Sequence, residues 1–381
     1  MKTKANLKIA VIGAGLGGCA AAALLQQAGY NVTVYEQAPA FSRLGAGINL
    51  SPNVTRVLRK IGIEPQLRAL AAEPKEFISR ASDTGEVTFV LPLGDEMEKR
   101  YGAPYYTVHR GDFHELLLSA VDETKLRMDK RLSAVEQDPD GVTLNFVDGT
   151  KERVDLVIGA DGLNSTIREL LLGPEMPRYT GYVAHRAIFP ASRIQGMELD
   201  DCTKWWSAEH HLIVYYLTKA RDEVYLVTGV PRPTWDSKSG SKAGTQAGLL
   251  EDFKGFEPRA QRILEACTDV SEWALFERDP LPIWSDGRVV ILGDACHPMK
   301  PHMGQGAAMA IEDAAMLVRC LEASGADDYR AAFELYRKSR IDRASEVQAE
   351  SSRNRWLRED TDVEWVFGYD VFTAPLGGAT A

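Results

Sequence analysis

Apolar residues along this chain form short unbroken runs, each followed by a glycine-containing loop and then by helical spacing. The first run, Lys8 to Ile12, leads through glycines into an Ala- and Leu-rich stretch that continues to Ala28. Continuous apolar runs of this length are typical of strands that are buried on both faces of a parallel sheet. The pattern predicts a strand, a helix and a second strand at Asn31 to Tyr35.

Two later runs repeat this construction. Val154 to Ile158 and Val289 to Leu292 each lead into a loop with glycine and aspartate, and then into a helical pattern. The carboxyl ends of parallel strands meet at one edge of a sheet, and ligands of such sheets bind there. The three strand-to-helix joints therefore predict one parallel sheet that contacts one ligand from distant parts of the chain.

The segments between the joints have a different pattern. Residues from Tyr179 to Val230 are rich in β-branched and aromatic side chains, and Glu76 to Leu93 alternates around the turn Asp83-Thr84-Gly85, which indicates a hairpin. We predict an α/β fold, in which a doubly wound parallel sheet carries an inserted, mostly antiparallel β-sheet domain for substrate and C-terminal helices. The predicted segments are 1–75, 106–178 and 281–325 for the parallel-sheet domain, 76–105 and 179–280 for the inserted domain, and 326–381 for the C-terminal helices.

Length, net charge and cysteine content limit the classes of protein to which this chain can belong. A length of 381 residues suggests about two domains, and the net charge of -10 argues against a nucleic-acid surface. No apolar run approaches the roughly 18 residues of a membrane helix. The five cysteines are scattered without C-x-x-C or zinc-type spacing, so we predict reduced thiols, a cytoplasmic location and no metal site. The oligomeric state stays open.

The first joint carries a dinucleotide fingerprint. Gly13, Gly15 and Gly18 form G-x-G-x-x-G between a strand and a helix, and Glu36 ends the next strand 18 residues after the last glycine. In this arrangement the glycines admit a pyrophosphate and the acid binds ribose hydroxyls. The fingerprint does not say which dinucleotide binds, but Arg43 and the glycine-rich loop after it replace a regular βαβ unit, which favours a larger cofactor.

Further candidates lie at helix starts. Arg110 precedes a predicted helix from Phe113 to Val121 and is either a surface cation or a clamp on cofactor phosphate. In the third joint, Asp294 follows the strand, and Gly304 and Gly306 precede a helix whose N-terminal dipole favours negative charge.

Together these motifs resemble those of a known family. G-x-G-x-x-G with its terminal acid, G-A-D-G-x-x-S-x-x-R and G-D-A-x-H-x-x-x-P-x-x-G-Q-G-x-x-x-x-x-E-D-A are similar to three signatures of single-component, FAD-dependent aromatic hydroxylases, the group with p-hydroxybenzoate and salicylate hydroxylases. The resemblance spans residues 8 to about 320. It implies FAD as the cofactor and NADH or NADPH as a transient reductant, since the chain has no second glycine-rich nucleotide fold.

The resemblance also implies roles for particular residues. It assigns Asp161 to a motif used for both FAD and the pyridine nucleotide. It also assigns Asp294 to the ribityl chain of FAD, and Gly304 and Gly306 to its ring. Six further residues would hold the ADP half. Cys296 and His302 depart from the residues common at their positions. The set implied for the ADP half is Gly13, Gly15, Gly18, Glu36, Arg43 and Arg110.

For catalysis the sequence offers His211, Tyr215 and His302. Side chains alternate along a strand, so His211 and Tyr215 share one face and could flank one small aromatic ring. A histidine can exchange a proton near neutral pH, whereas a tyrosine more readily orients a substrate by a hydrogen bond. Each of the three also has a purely structural reading as a packed side chain.

These three residues make the chain most similar, within the group, to hydroxylases of hydroxylated nicotinates. The resemblance then implies O2-dependent hydroxylation of 6-hydroxynicotinate at its carboxyl-bearing carbon, with loss of CO2, to give 2,5-dihydroxypyridine. Salicylate-type chemistry on a benzenoid acid is the first alternative. A non-catalytic interaction protein of the same fold and a nicotinamide dehydrogenase are the others.

Overall fold

The computed structural model describes residues 3–43, 45–237, 239–325 and 328–377. Leu44 of the predicted glycine-rich loop, Lys238, and residues 326–327 and 378–381 of the predicted C-terminal segment lie outside these ranges. Within the described ranges, no helix is long and apolar enough to cross a membrane. The same residues contain no group of three or more His, Cys, Asp or Glu side chains placed to hold a metal ion.

The strands begin with the first apolar run and end at the third joint. In chain order they are β1 (Lys8–Ile12), β2 (Asn31–Tyr35), β3 (Gly47–Leu50), β4 (Glu76–Ala81), β5 (Val87–Pro92), β6 (Tyr106–His109), β7 (Leu126–Arg127), β8 (Leu132–Asp138), β9 (Gly141–Phe146), β10 (Lys151–Val154), β11 (Leu156–Gly159), β12 (Arg178–Pro190), β13 (Cys202–Trp206), β14 (His211–Tyr216), β15 (Glu223–Pro231), β16 (Ser241–Ala243), β17 (Ser271–Glu277), β18 (Ser285–Asp286) and β19 (Val289–Ile291).

The helices lie between these strands and after them. In chain order they are α1 (Leu16–Gln27), α2 (Pro52–Ile61), α3 (Glu64–Leu70), α4 (Gly94–Tyr101), α5 (Arg110–Leu118), α6 (Thr166–Leu172), α7 (Gln246–Asp252), α8 (Pro258–Ala266), α9 (Gly306–Ser324), α10 (Tyr329–Arg353) and α11 (Glu364–Phe367), with 3-10 turns at Gly293–Ala295 and Pro301–Met303 in the third joint.

The strands of all three joints lie side by side in one sheet. Its order is β18-β19-β11-β1-β2-β7, and β1 pairs in parallel with β2 and β11, which in turn pairs in parallel with β19. Only the short edge strand β18 runs antiparallel to its neighbour in the described part of this sheet. The prediction of one parallel sheet fed by three joints is confirmed.

The predicted strand from Val154 to Ile158 is in fact two strands in two sheets. β10 pairs with β9 in a separate three-stranded sheet, whereas β11 joins the parallel sheet. Asp155 stands between them, and its carboxylate accepts a hydrogen bond from the Lys8 backbone N–H at 2.8 Å. The chain changes sheets here because this aspartate bonds the start of β1 instead of continuing the ladder of β10.

The inserted sheet has eight strands in the order β16-β17-β12-β15-β14-β13-β4-β5. Every neighbouring pair except β13 and β4 is antiparallel, and the predicted hairpin supplies the two strands at one edge. One face packs under α7 and α8, with Leu212, Val214 and Leu226 in the resulting core. The opposite face carries Ile213 and Tyr215 and looks toward the three joints. The predicted mostly antiparallel insertion is confirmed.

Helix α5 starts at Arg110, three residues before the start predicted at Phe113. The imidazole of His109 caps it, because its Nδ1 accepts a hydrogen bond from the Gly111 N–H at 3.1 Å. A histidine cap is not among the residues that usually signal a helix start, so the earlier boundary could not be seen in the pattern. As a result, Arg110 occupies the first turn of the helix.

The C-terminal helix α10 packs against α9 through a buried ionic network. The fully buried Arg340 donates from Nε to Asp313 at 2.7 Å and from Nη1 to Glu312 at 2.7 Å. Asp313 also accepts bonds from the Gly293 N–H at 3.0 Å and from His297 at 2.5 Å. This network fixes the third joint against the C-terminal helices, so His297 has a structural role here.

Candidate active site

The loops after β1, β11 and β19 touch at the carboxyl edge of the parallel sheet. Gly13 has a φ of +97°, and a Cβ atom at this position would lie 2.5 Å from the carbonyl oxygen of Ala160 in the second loop. A Cβ atom on Gly18 would lie 2.0 Å from the carbonyl oxygen of Gly13. Only glycine allows the first loop to turn this tightly against its helix and its neighbour.

Gly15 differs from these two glycines, since a Cβ atom there would meet nothing within 4 Å. It lies at the start of α1 and lines the cleft that separates the parallel-sheet edge from the inserted sheet, which we call the main cleft. Space beside a loop backbone at a helix N-terminus is what a pyrophosphate requires. The first loop therefore fits the cofactor predicted from its fingerprint.

Glu36 lies between two smaller pockets that flank this loop. Its carboxylate accepts hydrogen bonds from the backbone N–H groups of Ala14 at 2.8 Å and Ala38 at 2.9 Å. These bonds hold the carboxylate beside the glycine fingerprint. This is the position from which an acid binds ribose hydroxyls in dinucleotide folds.

Two hydrogen bonds hold the carboxylate of Asp161 within its own loop. Its carboxylate accepts from the Ser165 hydroxyl at 2.5 Å and from the Ile167 N–H at 3.1 Å, at the start of α6. Burial raises the pKa of this carboxyl, and the bond from Ser165 partly offsets the rise. Asp161 also lines the pocket that contains Glu36 and Gly13. It therefore lies beside the first loop, while its carboxylate binds the N-terminus of α6.

The main cleft, with a volume of about 440 Å³, lies between the parallel-sheet edge and the inserted sheet. Asp294 is exposed to this cleft. Desolvation by the surrounding protein raises the pKa of the Asp294 carboxyl, and the charges of His297 and then Arg110 partly lower it again. The structure brings five of the predicted cofactor residues to the lining of this one cleft: Gly15, Arg110, Asp294, Gly304 and Gly306.

Arg43 lies elsewhere among the described residues. Its guanidinium bonds Asp112 at 2.6 Å and Glu223 at 2.9 Å, and its side chain is 50% exposed. It does not line the main cleft, although its stem lies against Gly111 in the first turn of α5. In this arrangement Arg43 ties α5 to the inserted sheet, and its assignment to the cofactor stays a prediction.

The inserted sheet supplies the opposite wall of the cleft. Tyr215 lines it and packs edge-on against Tyr225, with 5.3 Å between ring centroids. A Cβ atom on Gly47 of β3 would lie 2.8 Å from the Tyr215 hydroxyl oxygen, so the two elements approach closely. Burial holds the pKa of Tyr215 well above its usual range. The hydroxyl is therefore protonated at neutral pH and able to donate a hydrogen bond into the cleft.

His211 and His302, far apart in the chain, meet at one end of this wall. Their rings lie 5.3 Å apart at 90°, and both side chains are buried. Neither lines the main cleft, but their neighbours Ile213 and Pro301 do. The structure thus pairs two of the three predicted catalytic residues next to residues that line the cleft, and it places the third, Tyr215, within the lining.

The environment keeps both histidines neutral. Burial, and next the charge of Lys204, lower the pKa of His302 from 6.5 to about 3, and the same two causes hold the pKa of His211 well below its usual value. The Nδ1 of His302 donates to the backbone carbonyl of Ser351 at 2.9 Å, because a carbonyl can only accept. Its Nε2 is therefore an unprotonated acceptor, and it has no partner among the described residues.

Several residues of the site escaped sequence reasoning. Arg186 and Asn49 line the cleft, and Lys204, Ser351 and Asn354 surround the histidine pair. Lys204 had a signal, since a lysine within the otherwise uncharged strand Cys-Thr-Lys-Trp-Trp is unusual for a buried segment. Ser351 and Asn354 had none, because their position depends on where the end of α10 packs.

Comparison with known proteins agrees with this architecture. A family model described as "FAD binding domain" matches residues 6–351. The chain is 54% identical to a 6-hydroxynicotinate 3-monooxygenase of Bordetella bronchiseptica over 97% of both chains. It is 53% identical to a protein of the same name from Pseudomonas fluorescens, over 97% of this chain and 96% of the other.

Solved structures give the same result for the fold. HpxO of Klebsiella pneumoniae, in complex with FAD and uric acid, is similar with a TM-score of 0.83 at 26% identity, covering 95% of this chain and 91% of the other. A salicylate hydroxylase substrate complex is similar with a TM-score of 0.84 at 25% identity, covering 98% of both chains.

Proposed function

The chain belongs to the FAD-binding-domain family, as an FAD-dependent aromatic monooxygenase, and we propose that its substrate is 6-hydroxynicotinate. With NADH or NADPH and O2, it would hydroxylate the carbon that carries the carboxylate, releasing CO2 and 2,5-dihydroxypyridine. The relatives are monooxygenases, so a non-catalytic interaction protein and a nicotinamide dehydrogenase are not proposed.

One observation carries the choice of substrate. The two relatives with this activity in their names share 53–54% identity with the chain over nearly its whole length, whereas the salicylate hydroxylase shares 25%. The fold itself does not distinguish a pyridine ring from a benzene ring. The proposal therefore rests on relatives at much higher identity, and the geometry of the cleft supports a small aromatic acid of either kind.

For the cofactor, we propose that the loop of Gly13, Gly15 and Gly18 receives the pyrophosphate and that Glu36 holds the ribose. Arg110 and Asp294 face the same cleft and would hold, respectively, an oxygen of that pyrophosphate and the ribityl chain. FAD, when bound, supplies the redox chemistry with the pyridine nucleotide and O2. The remaining members of the proposed set are Arg43, whose stem lies against Gly111 of α5, Asp161, beside the first loop, and Gly304 and Gly306, just before and at the start of α9.

The protein's own contribution is to position the substrate and manage one proton. Hydroxylation of the ring is favoured when the substrate hydroxyl gives up or shares its proton, so that its oxygen donates electrons to the ring. His302 has an unprotonated Nε2 without a partner among the described residues, and His211 stands against it, so either could share that proton by accepting a hydrogen bond from the substrate hydroxyl. Tyr215, held protonated, would orient the substrate by donating a hydrogen bond. Burial of this corner excludes competing water.

The proposed reaction can be tested on the FAD-loaded enzyme with 6-hydroxynicotinate, salicylate and p-hydroxybenzoate side by side. We expect NADH or NADPH oxidation coupled to O2 uptake, and stoichiometric CO2 and 2,5-dihydroxypyridine, with the first substrate only. If 6-hydroxynicotinate gave only uncoupled peroxide while salicylate gave catechol and CO2, the proposed substrate would be wrong.

Replacing His302 by Ala tests the proposed proton acceptor. We expect turnover to fall by about 100-fold or more, a usual size for a lost general base, while FAD stays bound. His210→Ala is a matched control. His210 directly precedes β14, the strand that carries His211, but its ring packs on Phe253. Unchanged turnover in the His302 variant would remove this residue from the mechanism.

We also propose that the enzyme works in the cytoplasm. All five cysteines fall within the described ranges, and each is buried with a free thiol, which supports a reducing compartment.

A further inference from the structure

A lysine is buried beside the histidine pair without a hydrogen-bond partner. Lys204 is 1% exposed, and its Nζ has no partner among the described residues. Burial lowers its pKa well below the usual value. The ring of Trp206, whose centroid lies 3.5 Å from Nζ, provides a cation–π contact to the charged form of Lys204. A cation–π contact offsets only part of the cost of burying an ammonium group, so this site calls for a further explanation.

Lys204 belongs to the face of the inserted sheet that forms the cleft wall. It is the cross-strand partner of Ile213, and such partners project to the same side of an antiparallel pair. Ile213 lines the cleft, and the neighbouring pair on this face is Trp206 with His211. Lys204 therefore lies on the cleft-facing side of the sheet near the proposed proton acceptors, although it does not itself line the cleft.

The chain after α10 closes this corner from the outside. The Ser79 hydroxyl donates to the Leu357 carbonyl and accepts from the indole N–H of Trp206 at 3.1 Å. Asn354 lies next to His211, with 3.4 Å between Nδ2 and the imidazole Nδ1. Lys204 is thus shielded from bulk solvent.

The groups around Lys204 do not supply an anion. The ionisable groups that affect it among the described residues are the Cys202 thiol and the Arg358 cation, and it acts in turn on His211 and His302. Three further polar atoms in this corner also have no partner in the described structure, namely His302 Nε2, Ser351 Oγ and Asn354 Oδ1. Unpartnered donors and acceptors gathered beside a cleft indicate that a polar ligand completes them.

We propose that Lys204 binds the carboxylate of the aromatic acid substrate and so makes the enzyme selective for acids over neutral aromatic rings. This inference rests on the proposed function and adds the carboxylate partner to it. An incoming carboxylate pairs with the ammonium and favours its charged form, as an opposite charge does at any buried site. Arg186 lines the cleft and stacks on Trp273 at 4.6 Å, and its Nε has no hydrogen-bond partner among the described residues, so it is the competing partner that the test has to separate from Lys204.

The test compares 6-hydroxynicotinate with its neutral isostere 6-hydroxynicotinamide on the FAD-loaded enzyme, with binding followed by the flavin absorbance change. In Lys204→Met the Kd of the acid should rise on the order of 10- to 100-fold, the usual effect of a lost bond to a charged group. The Kd of the amide should change by less than about threefold, since ordinary non-ionic contacts remain. Lys204→Arg should keep a preference for the acid.

Arg186→Met is the matched comparison, because it removes a cation that lines the cleft. Loss of the acid preference in Arg186→Met but not in Lys204→Met would overturn the proposal, and so would equal weakening of acid and amide in Lys204→Met. Lys204→Met should fold, because an apolar side chain of similar length replaces a buried charge, and Lys204→Gln is the second variant if it does not.

Failure of the proposed function would be visible separately. In that case the wild-type enzyme would neither bind nor turn over 6-hydroxynicotinate. The same variants would then be tested with salicylate and salicylamide, and an unchanged acid preference in Lys204→Met would refute the role of Lys204 there too.

Discussion

His302 should make the protein sensitive to acid by a predictable amount. Its pKa is about 3 in the folded protein and 6.5 ordinarily, so only the unfolded chain takes up its proton in mildly acidic solution. The stability that depends on the neutral ring is present above pH 6.5 and is lost as the pH falls from 6.5 toward 3. At about pH 5 the loss is about 2 kcal/mol, because each pH unit below 6.5 costs about 1.4 kcal/mol.

The variant His302→Asn isolates this contribution, since its amide can still donate to the Ser351 carbonyl but does not titrate. For 381 residues the entropy of unfolding is about 0.8 kcal/mol per kelvin, so 2 kcal/mol corresponds to a Tm change of about 2–3 °C. Calorimetry with excess FAD at about pH 7.5 and about pH 5 should show a Tm decrease that is larger by this amount in the wild type. Equal decreases in both proteins would refute the assigned neutral, buried state of His302.

Three further predictions concern the fold and the cofactor. Gly15→Ala should leave the apoprotein Tm within about 1 °C but raise the Kd for FAD about tenfold or more, whereas Gly18→Ala should lower the Tm by about 4 °C or more because its methyl group meets a backbone carbonyl. Arg340→Met removes the arginine that two buried carboxylates share, and Asp313 keeps no arginine partner while Glu312 keeps Arg343, so calorimetry should show a Tm lower by about 4–6 °C, equivalent to about 3–5 kcal/mol. Arg43→Ala should change the Tm by about 1 °C or less, since Arg43 is half exposed. A raised Kd for FAD in that variant would support its predicted cofactor contact, and an unchanged one would leave it as a surface ion-pair residue.

Much of the fold was predictable because its signals are local. The observed bounds of β1 and β2 agree with the predicted ones, and the hairpin strands β4 and β5 lie within one residue of theirs. Apolar runs, alternation and the turn residues Asp83-Thr84-Gly85 act over a few residues, so the pattern alone is enough. Where a tertiary bond competes with the pattern, as Asp155 does between β10 and β11, the prediction of a single strand was wrong.

The sequence predicts the residues on the cofactor side of the site better than those on the substrate side. The three loops carry their glycines and acids directly after buried strands, and parallel pairing brings those loops together without further information. Arg43 is the exception. Two carboxylates, Asp112 and Glu223, bind its guanidinium, and one of them comes from the inserted sheet.

By itself, the sequence determined the three joints, the dinucleotide fingerprint and the shared face of His211 and Tyr215, since each follows from the spacing of residues within one element. Only the tertiary structure decided that His302 meets His211, that the end of α10 supplies Ser351 and Asn354, and that Lys204 is buried without a hydrogen-bond partner. These features depend on how the third joint and the C-terminal helix pack against the inserted sheet. Such packing is a sum of many long-range contacts, and no local pattern encodes it.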